Sequence, residues 1–204
     1  ICFLSNYHKN NRSKLLYFFG EINLRWSVDK IFLDTNVSDN IDNNLAIFTS
    51  RPDRNLKMLT DIWTKLIISN NNKLRLLVTD NSHDYSDKSI IKRKLGDQRE
   101  LVKDLQSARM ILIPGHKAEL YCLAAEEARE LCIPIVTLGI GCLAERVDHE
   151  ITGFVANNQN DFANYTLNLF NNDNLWKKIR NNLMKRKNST TWKIVAKELV
   201  KQIS

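Results

Sequence analysis

Gly115-HKAELYCLAAEEARELCIPIVTLGIGCLAERVDHEITG-Phe154 is the stretch that decides the fold. The apolar run Met110-ILI-Pro114 just before it reads as a buried parallel strand, and a loop through Gly115 and His116 follows. Residues 120–132 have helix-favouring composition and are closed by Pro134, after which Ile135-VT-Leu138 reads as a second buried strand. In open parallel sheets built from such units, ligands lie beyond the carboxyl ends of the strands, so Glu119 stands at a ligand site by topology alone. Carried on one helix, Glu119 and Glu127 would be a little over two turns apart with faces offset by roughly 80°. They could then grip different parts of one long ligand.

Outward from this unit the alternation continues. Strands are expected over 45–49 and 74–79 and helices over 55–68 and 97–107. The fold class is therefore α/β, a Rossmann-like parallel sheet with helices on both faces. The polar stretch 82–94 reads as irregular, and Gly96 marks a turn. Beyond Asp161, Phe162, Leu167, Leu169, Phe170, Leu175, Trp176, Ile179 and Leu183 recur at helical spacing, which gives a helical C-terminal tail. Trp63, Trp176 and Trp192 fall in apolar helical periods and read as core anchors. Upstream, 1–5 reads as a short strand, 6–19 as a helix and 30–33 as another strand. The polar break Asp34-TNVSDNIDN-Asn44 divides residues 1–40 from a second unit, 41–204.

The chain has 204 residues, of which 43% are hydrophobic. A domain of this size buries on the order of 70% of its unfolded surface. No apolar run approaches ~18 residues and no signal-peptide pattern is visible, which argues for a soluble chain. Cys2, Cys122, Cys132 and Cys142 form no CxxC pair and three of them lie in or beside expected buried elements, so reduced core thiols and a cytosolic compartment are expected. The net charge of +7 gathers toward the end, at Lys177, Lys178, Arg180, Lys185, Arg186, Lys187, Lys193, Lys197 and Lys201. A solvated helix face is the first reading, and peripheral contact with an anionic membrane the second. Nucleic acid ranks last, because no motif that reads RNA or DNA accompanies the charge.

Ser50-RPDRNL-Lys57 follows the first strand of the second unit and opens its first helix. Pro52 tightens the turn, Asp53 is the expected N-cap, and Arg54 and Asn55 lie in the opening turn. A helix N-terminus presents unpaired N–H groups and about half a positive charge. Arg51 and Arg54 beside it suit a diphosphate, since guanidinium stays charged and meets phosphate bidentately. Loop charges with no ligand are the plain alternative for the arginines, and a solvated face is the plain alternative for Glu126, Glu127 and Glu130.

Taken together, these residues resemble the carboxyl-terminal, donor-binding domain of family 4 retaining glycosyltransferases of the GT-B fold. The resemblance covers roughly residues 30–204. The family's E-x7-E pattern falls on Glu119 and Glu127, and its continuation on Glu127-Ala128 and Pro134-Ile135-Val136. Its later G-x3-E-x-V and TG elements fall on Gly141, Glu145, Val147, Thr152 and Gly153. Where the family usually has glycine, this chain has Asn55, Cys122 and Cys132.

The resemblance implies one half of a GT-B fold, moving a sugar from a nucleoside diphosphate carrier to a glycan or envelope acceptor with retention. Arg51 and Arg54 are the implied diphosphate ligands and Glu127 the ribose ligand. Glu119 is the candidate catalytic residue, orienting sugar hydroxyls. Gly115, His116, Leu120, Tyr121 and Cys122 form the implied sugar and phosphate loop. No DxD and no cluster with metal-ligand spacing occurs, so neither metal nor cofactor is expected. Residues 1–40 are implied to be the remnant of an acceptor domain, and the 204-residue chain alone is expected to be inactive. A nucleotide-sugar epimerase of the same architecture and a truncated, non-catalytic donor-binding module are the alternatives.

Overall fold

The computed structural model describes residues 1–13, 15, 20–79, 84–94, 96–187 and 190–203. It opens with a short strand β1 (Cys2–Phe3), a helix α1 (Asn6–Asn10), a strand β2 (Ile22–Asn23) paired parallel to β1, and a helix α2 (Lys30–Asp34). The helix expected over 6–19 thus stops at Asn10, and residues 14 and 16–19 of that expectation lie outside the described residues. The strand expected over 30–33 is corrected to α2. An apolar run of four cannot distinguish strand from helix, and here a cap decides: the Asp29 side chain accepts from Ile31 N at 2.9 Å while Phe32 is fully buried.

The main sheet follows. Its strands are β3 (Asp42–Phe48), β4 (Arg75–Val78), β5 (Ile90–Lys92), β6 (Ala108–Leu112), β7 (Ile135–Thr137) and β8 (Gly153–Val155). All pair in parallel, in the order β5-β4-β3-β6-β7-β8. The centre of the sheet is buried on both faces, which is why residues 110–112 of β6 and 135–136 of β7 read as apolar runs. β5 and β8 escaped the sequence reading because neither carries a run of buried aliphatic residues: β5 buries only Ile90, and β8 opens on Gly153. β5 also corrects the irregular reading of 82–94, of which residues 82 and 83 lie outside the described residues.

One face of the sheet is covered by α3 (Leu56–Ile62), α6 (Gln159–Asn171) and α7 (Asp173–Lys185), which contribute Leu59, Ile62, Phe162, Leu169, Trp176 and Ile179 to the core. α3 runs on as a π-turn over Trp63–Ile67 that keeps Trp63 and Ile67 buried, and the Trp63 indole donates to Ser89 Oγ at 2.9 Å. The other face carries α2, α4 (Gln98–Ser107) and α5 (Leu123–Glu130), through Phe32, Val102, Leu105, Ala125 and Ala128. α4 starts at Asp97, whose carboxylate accepts from Arg99 N and Glu100 N.

Arg109 joins the sheet to the tail. Buried on β6, it donates to Leu169 O at 2.7 Å, Asn43 Oδ1 at 2.7 Å and Asp173 Oδ1 at 2.6 Å, with its guanidinium 5.1 Å from the Trp176 ring. The last helix, α8 (Trp192–Ile203), buries only Val195 among its described residues. Trp192 is 48% exposed and leans on Trp26, so it is corrected from core anchor to surface ring. Arg180 is likewise corrected: it is buried and bonded to Ser38 O rather than part of a solvated face. Among the described residues no helix is long and apolar enough to cross a membrane.

Candidate functional site

The strand order reverses between β3 and β6. From β3 the chain leaves over one face through α3, and from β6 it leaves over the other through α5, so the two loops part and open a crevice at the strand ends. The loop after β3 carries Arg51 and Arg54, and the loop after β6 carries Gly115, His116 and Glu119.

The two loops are tied to each other. Asn55 is left-handed, with φ 64°, and its amide donates to Gly115 O at 2.5 Å. It takes the cap position expected of Asp53, which instead pairs with Arg51 at 3.0 Å. Arg54 Nε lies 3.5 Å from Glu119 Oε2, and Arg54 Nη1 lies 3.2 Å from His116 Nδ1. Since guanidinium can only donate and Ala118 N also donates to Nδ1 at 3.1 Å, the His116 proton is assigned to Nε2. Arg51 is the looser arginine, its side chain 69% exposed against 19% for Arg54.

Glu119 does not lie on a helix. α5 begins only at Leu123, and the helix expected over 120–132 is corrected to Leu123–Glu130. The offset derived for Glu119 and Glu127 from helical geometry therefore does not apply. Glu119 sits in a turn closed by Glu119 N to His116 O at 2.9 Å and by Cys142 N to Glu119 O at 3.1 Å. Gly141 makes that closure possible, because at φ 74° a Cβ there would meet His116 O at 2.3 Å. The three positions where the resemblance expects glycine, Asn55, Cys122 and Cys132, all have positive φ. Each cysteine accepts about 1–2 kcal/mol of strain there.

A cleft of about 510 Å³ is lined by Arg51, Arg54, Glu119, Leu120, Tyr121, Cys122 and Glu127. Gly115 and His116 hold Arg54 and Asn55 from behind. Leu4, Trp26 and Thr49 also line the cleft, and sequence reading missed them. Thr49 could have been found as the residue that follows the first strand of the main sheet, whereas nothing local marks Leu4 or Trp26. A second cavity of about 460 Å³, lined by Lys30, Lys187, Trp192 and Lys193 among others, holds none of these residues. Burial pushes the Cys122 and Cys142 thiols up, Cys142 to about 12, so neither is a thiolate nucleophile near neutral pH.

Glu126 and Glu130 correct the solvated-face reading, since both are buried. Glu126 accepts from Arg146 at 3.2 Å and Arg25 at 3.4 Å and also pairs with Arg129. Glu127 faces the cleft half-buried, and burial, with Asp29 adding repulsion, raises its carboxyl from 4.5 to about 7. The sign follows from linkage: the folded state favours the proton, so this stabilisation is complete below about pH 4.5 and is lost as pH rises through about 7. Glu127→Gln should therefore gain stability relative to the parent between pH 5 and pH 8. Melting both proteins across that range checks it, and parallel curves would show that Glu127 is not held in its neutral form.

No protein-family model and no curated protein sequence matches the chain. Solved structures do. A TarM variant from S. aureus, in complex with fondaparinux, α-GlcNAc-glycerol and UDP, superposes with a TM-score of 0.75 at 16% identity, over 98% of this chain and 43% of TarM. Anabaena HepE in complex with UDP and glucose gives 0.76 at 12% identity, over 99% of this chain and 62% of HepE. The C-terminal domain of the group 1 family glycosyl transferase LpcC from Francisella tularensis gives 0.58 at 16%, over 70% of this chain and 84% of that domain. At these identities the likeness is one of fold. The chain has the architecture of one Rossmann-like half of a GT-B glycosyltransferase, and it spans less than half the length of TarM.

Proposed function

We propose that this chain is the donor-binding part of a family 4 retaining glycosyltransferase, which moves a hexose-type sugar from a nucleoside diphosphate to a glycan or envelope acceptor. The observation that carries the reading is the meeting of Arg54 and Glu119 across the strand-order reversal, with Arg51 and Glu127 on the same cleft. UDP in TarM, and UDP with glucose in HepE, support this donor class.

In this reading the bond from the anomeric carbon to the phosphate oxygen breaks and negative charge grows on the departing diphosphate. Arg51 and Arg54 stabilise it, helped by the first N–H groups of α5, and this fixed positive field supplies the role a metal plays elsewhere. Glu119 orients sugar hydroxyls, His116 Nε2–H donates to the sugar or a phosphate oxygen, and Glu127 receives the ribose hydroxyls. Residues 1–40 are read as the tail of an acceptor-binding unit. The 204 residues alone are then expected to bind the nucleotide without turning over sugar, because this reading assigns to an acceptor-binding unit the surface that positions an acceptor and excludes water. The cytosol, with the basic tail against an anionic membrane face, is the location that goes with this reading.

Glu127→Ala is expected to weaken UDP binding by about 1.5–3 kcal/mol, since a carboxylate bonded to two hydroxyls makes charge-assisted hydrogen bonds. That is roughly ten- to a hundredfold in calorimetry at pH 8. Equal affinities would reduce Glu127 to a surface charge.

A further inference from the structure

Glu119 is fixed from outside its own unit. The carbonyls on either side of it, Lys117 O and Leu120 O, are held by hydroxyls from the beginning of the chain: Tyr7 Oη donates to Lys117 O at 2.8 Å, and Ser5 Oγ donates to Leu120 O at 2.7 Å. Those hydroxyls are held in turn. The Glu145 carboxylate accepts from Asn6 N at 2.9 Å and Tyr7 N at 2.5 Å, which docks the start of α1. Glu145 ends the short helical turn Gly141–Glu145, and near the other end of that turn Cys142 N donates to Glu119 O. The result is a closed circuit from the Glu119 loop through the 141–145 turn and α1 back to the Glu119 loop.

Alongside runs a second tie. Arg146 donates to Leu4 O at 2.9 Å and to Glu126 at 3.2 Å, with its guanidinium 4.1 Å from the Tyr121 ring. Tyr121 itself donates to Trp26 O. Together these bonds tie residues 4–7 and Trp26 to the turn that precedes α5, directly or through the 141–146 segment.

From this circuit we infer that Ser5 and Tyr7 are positioning residues for Glu119. Displacement of the chain's first residues, by whatever they carry or contact, then moves Glu119 relative to Arg54. The diphosphate half of the cleft is affected less, because Arg51 and Arg54 stand on the β3 loop, which meets the circuit through the Arg54–Glu119 pair while His116 Nδ1 and Gly115 O hold Arg54 and Asn55 from positions outside it. The inference deepens the donor-site reading of Glu119 and rests on it for the identity of the ligand. It separates two parts of one ligand: the sugar end depends on Ser5 and Tyr7 more strongly than the diphosphate end does.

The test uses the full 204-residue chain and the double variant Ser5→Ala with Tyr7→Phe. Both substitutions remove one hydroxyl and leave the sheet untouched. Amide hydrogen exchange at Glu119 and Cys142 should speed up about tenfold or more, with Ile111 in β6 and Ile113 just after it unchanged. Ser5→Thr, which keeps a hydroxyl, should restore most of the protection lost in Ser5→Ala. With UDP and UDP-glucose as probes, affinity for UDP should stay within about twofold of the parent, while the affinity of UDP-glucose relative to UDP falls about five- to tenfold. Unchanged exchange at Glu119 and Cys142 overturns the inference, whatever the nucleotides do. Faster exchange in a chain whose parent form binds neither nucleotide supports the coupling and counts against the donor-site reading. An equal loss for UDP and UDP-glucose also overturns the inference, because the circuit would then be supporting the whole cleft.

Discussion

Replacing Arg51 and Arg54 together with alanine is expected to weaken UDP binding by about a hundredfold or more, close to 3 kcal/mol. On the proposed donor-site reading, two charge-assisted contacts to the diphosphate would be lost, and the Glu119 carboxylate, paired with Arg54 at 3.5 Å in the parent, would face the phosphates without a counter-charge. The two arginines should not contribute equally. Arg51 is mostly in solvent and its attraction is screened, whereas Arg54 is held by Glu119 and His116 and loses little freedom on binding. Arg54→Ala alone should therefore carry most of the loss, and parent affinity should fall with added salt. Calorimetry at low and high salt reads both effects. Parent-like affinity in the double variant would remove the diphosphate clamp from the account.

Arg109→Ala is the substitution expected to damage the fold most among the polar residues, by about 3–5 kcal/mol. It leaves the buried carbonyl of Leu169 and the Asn43 side chain without their donor and opens space beside Trp176. Asp173→Asn is the control. Its carboxylate is 70% exposed, so losing the charge at that end should cost under about 1 kcal/mol. Urea unfolding of the two variants separates them, and similar losses would mean that Arg109 acts through the Asp173 pair rather than as the tie between sheet and tail.

The parts of the fold legible in the sequence are those whose signal is local. Residues 45–48 of β3, 110–112 of β6 and 135–136 of β7 are apolar runs because the middle of the sheet is buried on both sides, and α4 starts at Asp97. β2, β5 and β8 are two or three residues long and carry no period to detect. α2 was misread because four apolar residues fit either element until Asp29 is seen capping them. For the cleft, the residue types at 51, 54, 119 and 127 were readable, but the shape of the turn at Glu119 was not. That turn depends on Gly141, Ser5 and Tyr7, which meet it only in three dimensions. The burial of Glu126 was invisible for the same reason, since Arg25 lies 101 positions away and Arg146 20.

The central claim is that the loops flanking the β3–β6 reversal bind one nucleoside diphosphate sugar. Titrating the isotope-labelled chain with UDP while following backbone amide resonances tests it most directly. The account predicts saturable shifts at Ser50, Arg51, Arg54, Glu119, Cys122, Leu123 and Glu127, with additional shifts at His116 and Leu120 when UDP-glucose replaces UDP. Saturable shifts confined to the cavity beside Trp192, or no saturable shift at low salt, would contradict it.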